Sequence, residues 1–253
     1  MKAYESNEVS WWSNWAEAKW LGRNAYVLFS QHFDEYFFNR GGFLRIKPDS
    51  KEFIVRMEDE FQARGRKPHL LLQSGELDAE LLAVLAQRGY RIADQMAVME
   101  ADDTSFKVNP DVQIEAVEGK EDLEDWSRIY LDSFYGELRQ RRAVLDIAKK
   151  LMKVKEASLL LASVKGKPVG VVALFRTEKV CGTYCVATHR DWRGKHVAST
   201  MLEHSRREAV DDGKKLVLQT ILSDSTEGLY LKLGFRRAYL KELFVKDSGR
   251  VQR

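Results

Sequence analysis

Apolar positions in the second half of the chain fall into two alternating periods. Ser158–Val164, Pro168–Arg176 and Val180–Thr188 are apolar runs separated by the polar turns Lys165-Gly166-Lys167 and Thr177-Glu178-Lys179. Turns this short predict three strands paired antiparallel. Val112–Ala116 reads as a strand before them, and Leu216–Ile221 and Ala238–Lys246 as two after them. Four segments between these strands carry the helical period. Residues 121–133 place Leu123, Trp126, Ile129 and Tyr130 on one face, and residues 137–153 do so with Leu138, Val144, Leu145, Ala148 and Leu151. Residues 194–212 do the same with Val197, Met201, Leu202, Ser205 and Ala209, and Gly213 ends the run. A short helix over 225–233 precedes Gly234-Phe235.

The first half opens on a predicted helix carrying Trp11, Trp12, Trp15 and Trp20, then an aromatic segment with Phe29, Phe33, Tyr36, Phe37 and Phe38. A strand over Phe43–Lys47 leads to a helix over 49–64, whose buried face is Phe53, Ile54, Met57 and Phe61. Strand His69–Gln73, helix Leu77–Gln87, the pair Gly89-Tyr90 and strand Ile92–Met99 follow. Gly89-Tyr90 stands where Gly234-Phe235 stands in the second half, which suggests a degenerate internal repeat. The polar stretch Asp102–Pro110 is the weakest in pattern, and it predicts two domains, residues 1–108 and 109–253. The expected fold class is α/β of the α+β type: a mixed, mostly antiparallel sheet flanked by helices, in two similar halves.

Composition removes several function classes. The 253 residues are 44% hydrophobic and 31% charged, with a formal net charge of +3. That balance exerts no general pull toward nucleic acid or a membrane surface. The basic face of helix 137–153 (Arg139, Arg141, Arg142, Lys149, Lys150, Lys153) reads as a solvated face rather than a nucleic-acid patch. No apolar run approaches the roughly 20 residues of a membrane span, and the first residues lack the apolar core of a signal peptide. The cytoplasm is the expected location. Cys181 and Cys185 sit about 13 Å apart along one strand, too far for a disulfide, and read as reduced packing residues. His189 and His204 lack a second ligand at metal spacing, so no metal is expected. No Gly-x-Ser-x-Gly elbow occurs.

The chemistry lies where a strand turns into a helix. The apolar segment ending Cys185-Val186-Ala187-Thr188 meets Arg193-Gly194-Lys195-His196-Val197-Ala198-Ser199 and then the helix. Such a turn aims free backbone N–H groups and the positive end of a helix at one point, as a pyrophosphate requires. These residues, together with Gly-Leu-Tyr230-Leu-Lys-Leu-Gly-Phe235, resemble the GCN5-related N-acetyltransferases (GNAT). The family pattern at the turn is Arg/Gln-x-x-Gly-x-Gly/Ala. Arg193 and Ala198 match it, and His196 replaces the glycine that lets backbone approach phosphate closely.

The resemblance spans about residues 111–247 and implies a β-α-α-β-β-β-α-β-α-β fold using acetyl-CoA. It implies that Val186, Ala187 and Thr188 run beside the pantetheine arm, and that Arg193, Gly194, Lys195, His196, Val197, Ala198 and Ser199 hold the phosphates. Tyr230 would protonate the departing thiolate, as a phenol with an ordinary pKa near 10 can. Ser223, where the family often has Asn, would cap a helix and bond to the cofactor arm. The implied acceptor is the amine of a small molecule or peptide. Its base stays open: Glu178 lies in a turn and reads as a surface charge, and Tyr184 reads equally as packing. The competing reading is a non-catalytic CoA-binding or interaction module, with nucleic-acid association through the basic helix ranked last. In the first half Lys47-Pro48-Asp49-Ser50 stands before the corresponding helix. Pro48 offers no N–H and Asp49 repels phosphate, so one cofactor site per chain is expected, with the first half as a scaffold.

Overall fold

A computed structural model of the chain describes residues 1–47, 50–102, 105–136 and 139–246. In chain order the elements are α1 (Lys2–Trp12), β1 (Glu17–Trp20), β2 (Ala25–Phe29), β3 (Arg40–Phe43), α2 (Ser50–Ala63), β4 (His69–Gln73), α3 (Ala79–Gln87) and β5 (Tyr90–Ala101). The second half follows with β6 (Val112–Ala116), α4 (Lys120–Phe134), α5 (Arg141–Leu151), β7 (Ala157–Val164), β8 (Lys167–Arg176), β9 (Val180–Thr188), α6 (Val197–Asp211), β10 (Lys215–Ile221), α7 (Glu227–Lys232) and β11 (Phe235–Lys246). From β6 onward this is the expected order. Pro48, Asp49 and Leu138 lie outside the described residues.

The chain divides into two compact units. One gathers Met1–Val98, Thr220–Glu227 and the strand from Arg237 on, and the other Met99–Gln219 and Gly228–Arg236. The division at Val98–Met99 differs from the break expected within Asp102–Pro110. The last strand also joins the first unit, because Lys241–Val245 of β11 pairs antiparallel with His69–Gln73 of β4.

In the first unit the strand order is β1-β2-β3-β4-β11-β5. β1, β2 and β3 are antiparallel, and β3 and β4 are parallel. The tryptophan-rich start is not one helix. α1 stops at Trp12, where Ser13 Oγ donates to the Val9 carbonyl (2.7 Å) and Asn14 Nδ2 to the Ser10 carbonyl (3.0 Å). Those carbonyls are thereby satisfied without a further helical turn. Trp15 falls in the turn and Trp20 in β1. The strand expected at Phe43–Lys47 lies instead at Arg40–Phe43. Gly41 and Gly42 look like breakers in the sequence but are needed for close packing: a Cβ at Gly41 would lie 2.7 Å from Met57 Sδ, and one at Gly42 2.6 Å from Tyr26 Oη. α2 covers this sheet with Ile54, Met57 and Phe61, which join Phe29, Phe43, Leu70 and Leu72 in one core.

Charge also enters this interior. Glu5 and Glu8 of α1, Arg40 of β3 and Lys241 of β11 are fully buried. Lys241 Nζ lies 2.8 Å from Glu5 and 2.9 Å from Glu8, Arg40 Nη2 lies 2.5 Å from Glu8, and Tyr239 Oη donates to Glu5 at 2.7 Å. Two cations face two carboxylates, so the group is neutral as a whole. Burial penalises the Glu8 carboxylate, yet Lys241 and Arg40 together hold its pKa below the usual range, whereas burial wins at Glu5 and raises it.

The second unit contains the strand order β10-β9-β8-β7-β6. β6 through β9 pair antiparallel in sequence order, and β9 pairs with β10 in parallel. α4 packs on β7, β8 and β9, and α6 on β6, β8 and β9. α5 buries Val144, Ala148 and Leu151 and turns Lys149 and Lys150 to solvent. Arg141 of the basic face pairs with Glu124 of α4 at 3.7 Å. Both cysteines are free thiols, and burial pushes the Cys181 pKa up to about 11 and raises Cys185 as well. Glu203 of α6 is buried. It accepts from Arg206 (2.8 and 2.9 Å), Arg207 (2.9 Å) and the Phe106 N–H (3.0 Å), and the Arg206 hydrogen bonds foremost hold its pKa at about 2.

Two stability measurements follow. Lys241→Met leaves Glu5 and Glu8 buried with one cation between them. It should cost about 3–5 kcal/mol in urea unfolding, and a loss under about 1 kcal/mol would mean the cluster is not held as described. Glu203 has a folded-state pKa below its unfolded one, so its stabilisation is present above about pH 4.5 and is lost as pH falls toward 2. Glu203→Gln should therefore unfold with a flatter dependence between pH 4.5 and 2, by about 2–3 kcal/mol across that window. Parallel acid limbs for both proteins would contradict the assignment.

Candidate active site

Among the described residues of the second unit, β9 keeps one edge largely unpaired. β9 pairs with β10 only over Val180–Gly182 against Lys215–Val217, although both strands run on. Beyond Gly182 the β10 side of β9 has no ladder partner among the described residues. On its other side the register with β8 slips: Ala173 faces Tyr184, Val171 faces Ala187, and Cys185 and Val186 together oppose Val172. This is a β-bulge, and Cys185 takes a left-handed conformation there (φ 55°). Trp126 of α4 donates its indole N–H to the Val172 carbonyl at 3.5 Å, so α4 supports the strand opposite the bulge. The hydroxyls of Thr183 and Thr188, on the same strand, are buried without a hydrogen-bond partner among the described residues.

After Thr188 the chain makes a short 3-10 turn, Arg190–Trp192, and reaches the loop. The helix begins at Val197 rather than Gly194, because Gly194 (φ 75°) and His196 (φ 60°) are left-handed. Among the described residues, the N–H groups of Gly194 through Ser199 meet no acceptor. These are the orphan donors that begin a helix, and α6 adds its positive end. Gly170 on β8 lets α6 sit close, since a Cβ there would lie 2.9 Å from Val197. The cationic side chains lie at the surface: Arg193 Nε reaches the Thr188 carbonyl at 3.5 Å, and Lys195 Nζ sits 4.6 Å from the Trp192 ring. His196 is exposed and holds its glycine-like conformation at a cost of about 1–2 kcal/mol. An open strand edge, a row of free donors and nearby cations fit an extended ligand with a phosphate end.

β9 and the loop thus bring together Val186, Ala187, Thr188 and Arg193 through Ser199. Tyr230 lies on α7 in the same unit, half-buried, with its ring 5.9 Å from Phe235. Ser223 does not cap a helix. It sits in a 3-10 turn before α7 and donates its hydroxyl to Asp94 at 2.5 Å, within the first unit. Glu178 is exposed in the turn that opens β9, seven residues from the bulge and so about 20 Å from it along the strand. Tyr184 is buried opposite Ala173. His189 and His204 lie near Asp191 (3.7 Å) and Glu208 (3.9 Å), and no metal-binding cluster occurs among the described residues. The sequence reading missed the bulge, whose only trace is the lost alternation in Tyr184-Cys185-Val186-Ala187.

The first unit differs at the matching point. The Ile46 N–H donates to Glu76 Oε2 at 2.7 Å and the Lys47 N–H to Ser50 Oγ at 2.8 Å. The chain's own side chains take these donors before α2.

Among known families, the acetyltransferase (GNAT) domain matches residues 155–237. No curated protein matches the chain in sequence. Among solved structures, a GCN5-related N-acetyltransferase from Kribbella flavida superposes with a TM-score of 0.73 at 15% identity, covering 99% of this chain and 96% of the other. One from Sphaerobacter thermophilus gives 0.63 at 18% identity, over 91% and 82%. A tandem GNAT protein from the clavulanic acid biosynthesis pathway gives 0.61 at 12%, over 87% and 77%. At such identities the likeness is one of fold. The described residues hold no helix long and apolar enough to cross a membrane. Residues 155–237 are thus an acetyltransferase (GNAT) domain, and the chain as a whole carries the fold of the GNAT acetyltransferases.

Proposed function

We propose that residues 109–253 transfer an acetyl group from acetyl-CoA to the amine of a small molecule or peptide in the cytoplasm, with residues 1–108 as a degenerate, non-binding half. The observation that carries this reading is the bulged, half-unpaired β9 running into unsatisfied N–H groups at the start of α6. The open edge of β9 offers backbone hydrogen bonds to the amides of the pantetheine arm, as an added strand would. The loop from Arg193 to Ser199 takes the pyrophosphate, and Arg193 and Lys195 add charge at its rim.

Transfer is direct. The neutral amine nitrogen attacks the thioester carbonyl carbon, while backbone N–H groups at the bulge polarise the carbonyl oxygen. The carbon–sulfur bond breaks as the nitrogen–carbon bond forms. The leaving sulfur takes the phenolic proton of Tyr230, which solvent replaces, and the amine's surplus proton leaves to water. Amide and free CoA result, with no covalent enzyme intermediate.

A second reading, a CoA-binding module without turnover, has one observation in its favour. β9 carries no carboxylate, and Glu178 is far from the bulge, so neither the strand nor Glu178 supplies a base for the acceptor. CoA binding with no thiol release across a panel of amines, amino acids and peptides would support it.

Two measurements test the leading reading. Tyr230→Phe should lower kcat by about a hundredfold while the KM for acetyl-CoA moves little, and undiminished turnover would remove Tyr230 from the mechanism. Calorimetric titration of the full chain with acetyl-CoA should give one site per chain, and Arg193→Glu should abolish binding. No binding at millimolar cofactor sinks the whole reading, and a stoichiometry of two sinks the one-site assignment.

A further inference from the structure

The loop holds a strained residue where the family pattern has glycine, and something outside the motif must keep it in place. The segment before β6 does so. The Asn109 Nδ2 donates to the Lys195 carbonyl at 3.0 Å. The Asn109 N–H donates to Thr200 Oγ1 at 2.8 Å, and that hydroxyl donates to the His196 carbonyl at 2.7 Å. Since Thr200 Oγ1 accepts from Asn109, its proton is directed to His196. One asparagine therefore fixes the Lys195 carbonyl directly and orients the Thr200 hydroxyl on the His196 carbonyl, which also accepts from the Thr200 N–H (3.0 Å) and from Ser199 Oγ (3.1 Å).

The consequence follows from the peptide unit. In a trans peptide the carbonyl and the following N–H point to opposite sides, and the chain holds no cis peptide among the described residues. Pinning the Lys195 carbonyl toward Asn109 turns the His196 N–H away from it. Pinning the His196 carbonyl toward Thr200 does the same for the Val197 N–H. Both N–H groups are among the unsatisfied donors of the loop.

We infer that Asn109 and Thr200 are positioning residues for the phosphate end of the cofactor: they hold His196 in its left-handed conformation and aim the His196 and Val197 N–H groups outward before the ligand arrives. Neither residue touches the reacting atoms, and Asn109 lies outside both the loop motif and the matched residues 155–237. A glycine loop is free to reach this conformation, but a histidine loop needs the external hold. The inference rests on the proposed cofactor site and adds the source of its preorganisation.

The test is calorimetric binding of CoA to the full chain. Asn109→Ala and Thr200→Val should each weaken binding about tenfold, the scale of one lost hydrogen bond in a preorganised site. Thr200→Ser keeps the hydroxyl and should restore affinity to within about twofold of wild type. Glu203→Gln disturbs the other anchor of the same segment, at the Phe106 N–H, but touches no loop carbonyl, so its affinity should also stay within about twofold. A wild-type chain that does not bind CoA overturns the cofactor site and this inference together. Wild-type binding with unchanged affinity in Asn109→Ala and Thr200→Val overturns this inference alone. So does a loss in Thr200→Ser as large as in Thr200→Val, since helix packing rather than the hydroxyl would then be responsible. If Glu203→Gln fails to fold, the Ser and Val variants at position 200 still decide.

Discussion

A buried backbone has to find hydrogen-bond partners for nearly all of its N–H and C=O groups, and among the described residues β9 and the loop after it leave a run of N–H groups without an acceptor. β9 is paired along its length with β8 but only at its first residues with β10. The loop after it enters α6 through left-handed residues, so the helix's first donors face outward. Everything proposed for the protein depends on those unsatisfied groups. Around them Trp126 donates to β8 opposite the bulge, and Gly170 lets α6 press onto the sheet.

The first unit differs at the described residues before α2. Backbone donors before α2 are taken by Glu76 and Ser50. Its interior carries charge, but Glu5, Glu8, Arg40 and Lys241 neutralise one another at hydrogen-bond distance.

His196 shows how a departure from a motif is absorbed. A left-handed histidine costs free energy that glycine does not. The cost is offset by hydrogen bonds to the loop carbonyls from Asn109, Ser199 and Thr200.

The sequence by itself determined the second half closely. Its strands alternate with polar turns and its helices carry one apolar face each, so local periodicity is enough to set their order, and Arg193-Gly194 with Ala198 marked the loop proposed to take the pyrophosphate. It misled wherever a distant contact overrode the local signal. Trp15 and Trp20 read as helix, but Ser13 and Asn14 end α1 first. Gly41 and Gly42 read as a break, yet Met57 and Tyr26 approach within 3 Å of where a Cβ would lie. Ser223 read as a cap until the fold set Asp94 beside it. The bulge at Cys185, the shared last strand and the hold of Asn109 on the loop were decided by tertiary structure alone. Each depends on which strand or helix lies alongside, and no periodicity within a segment records its neighbours.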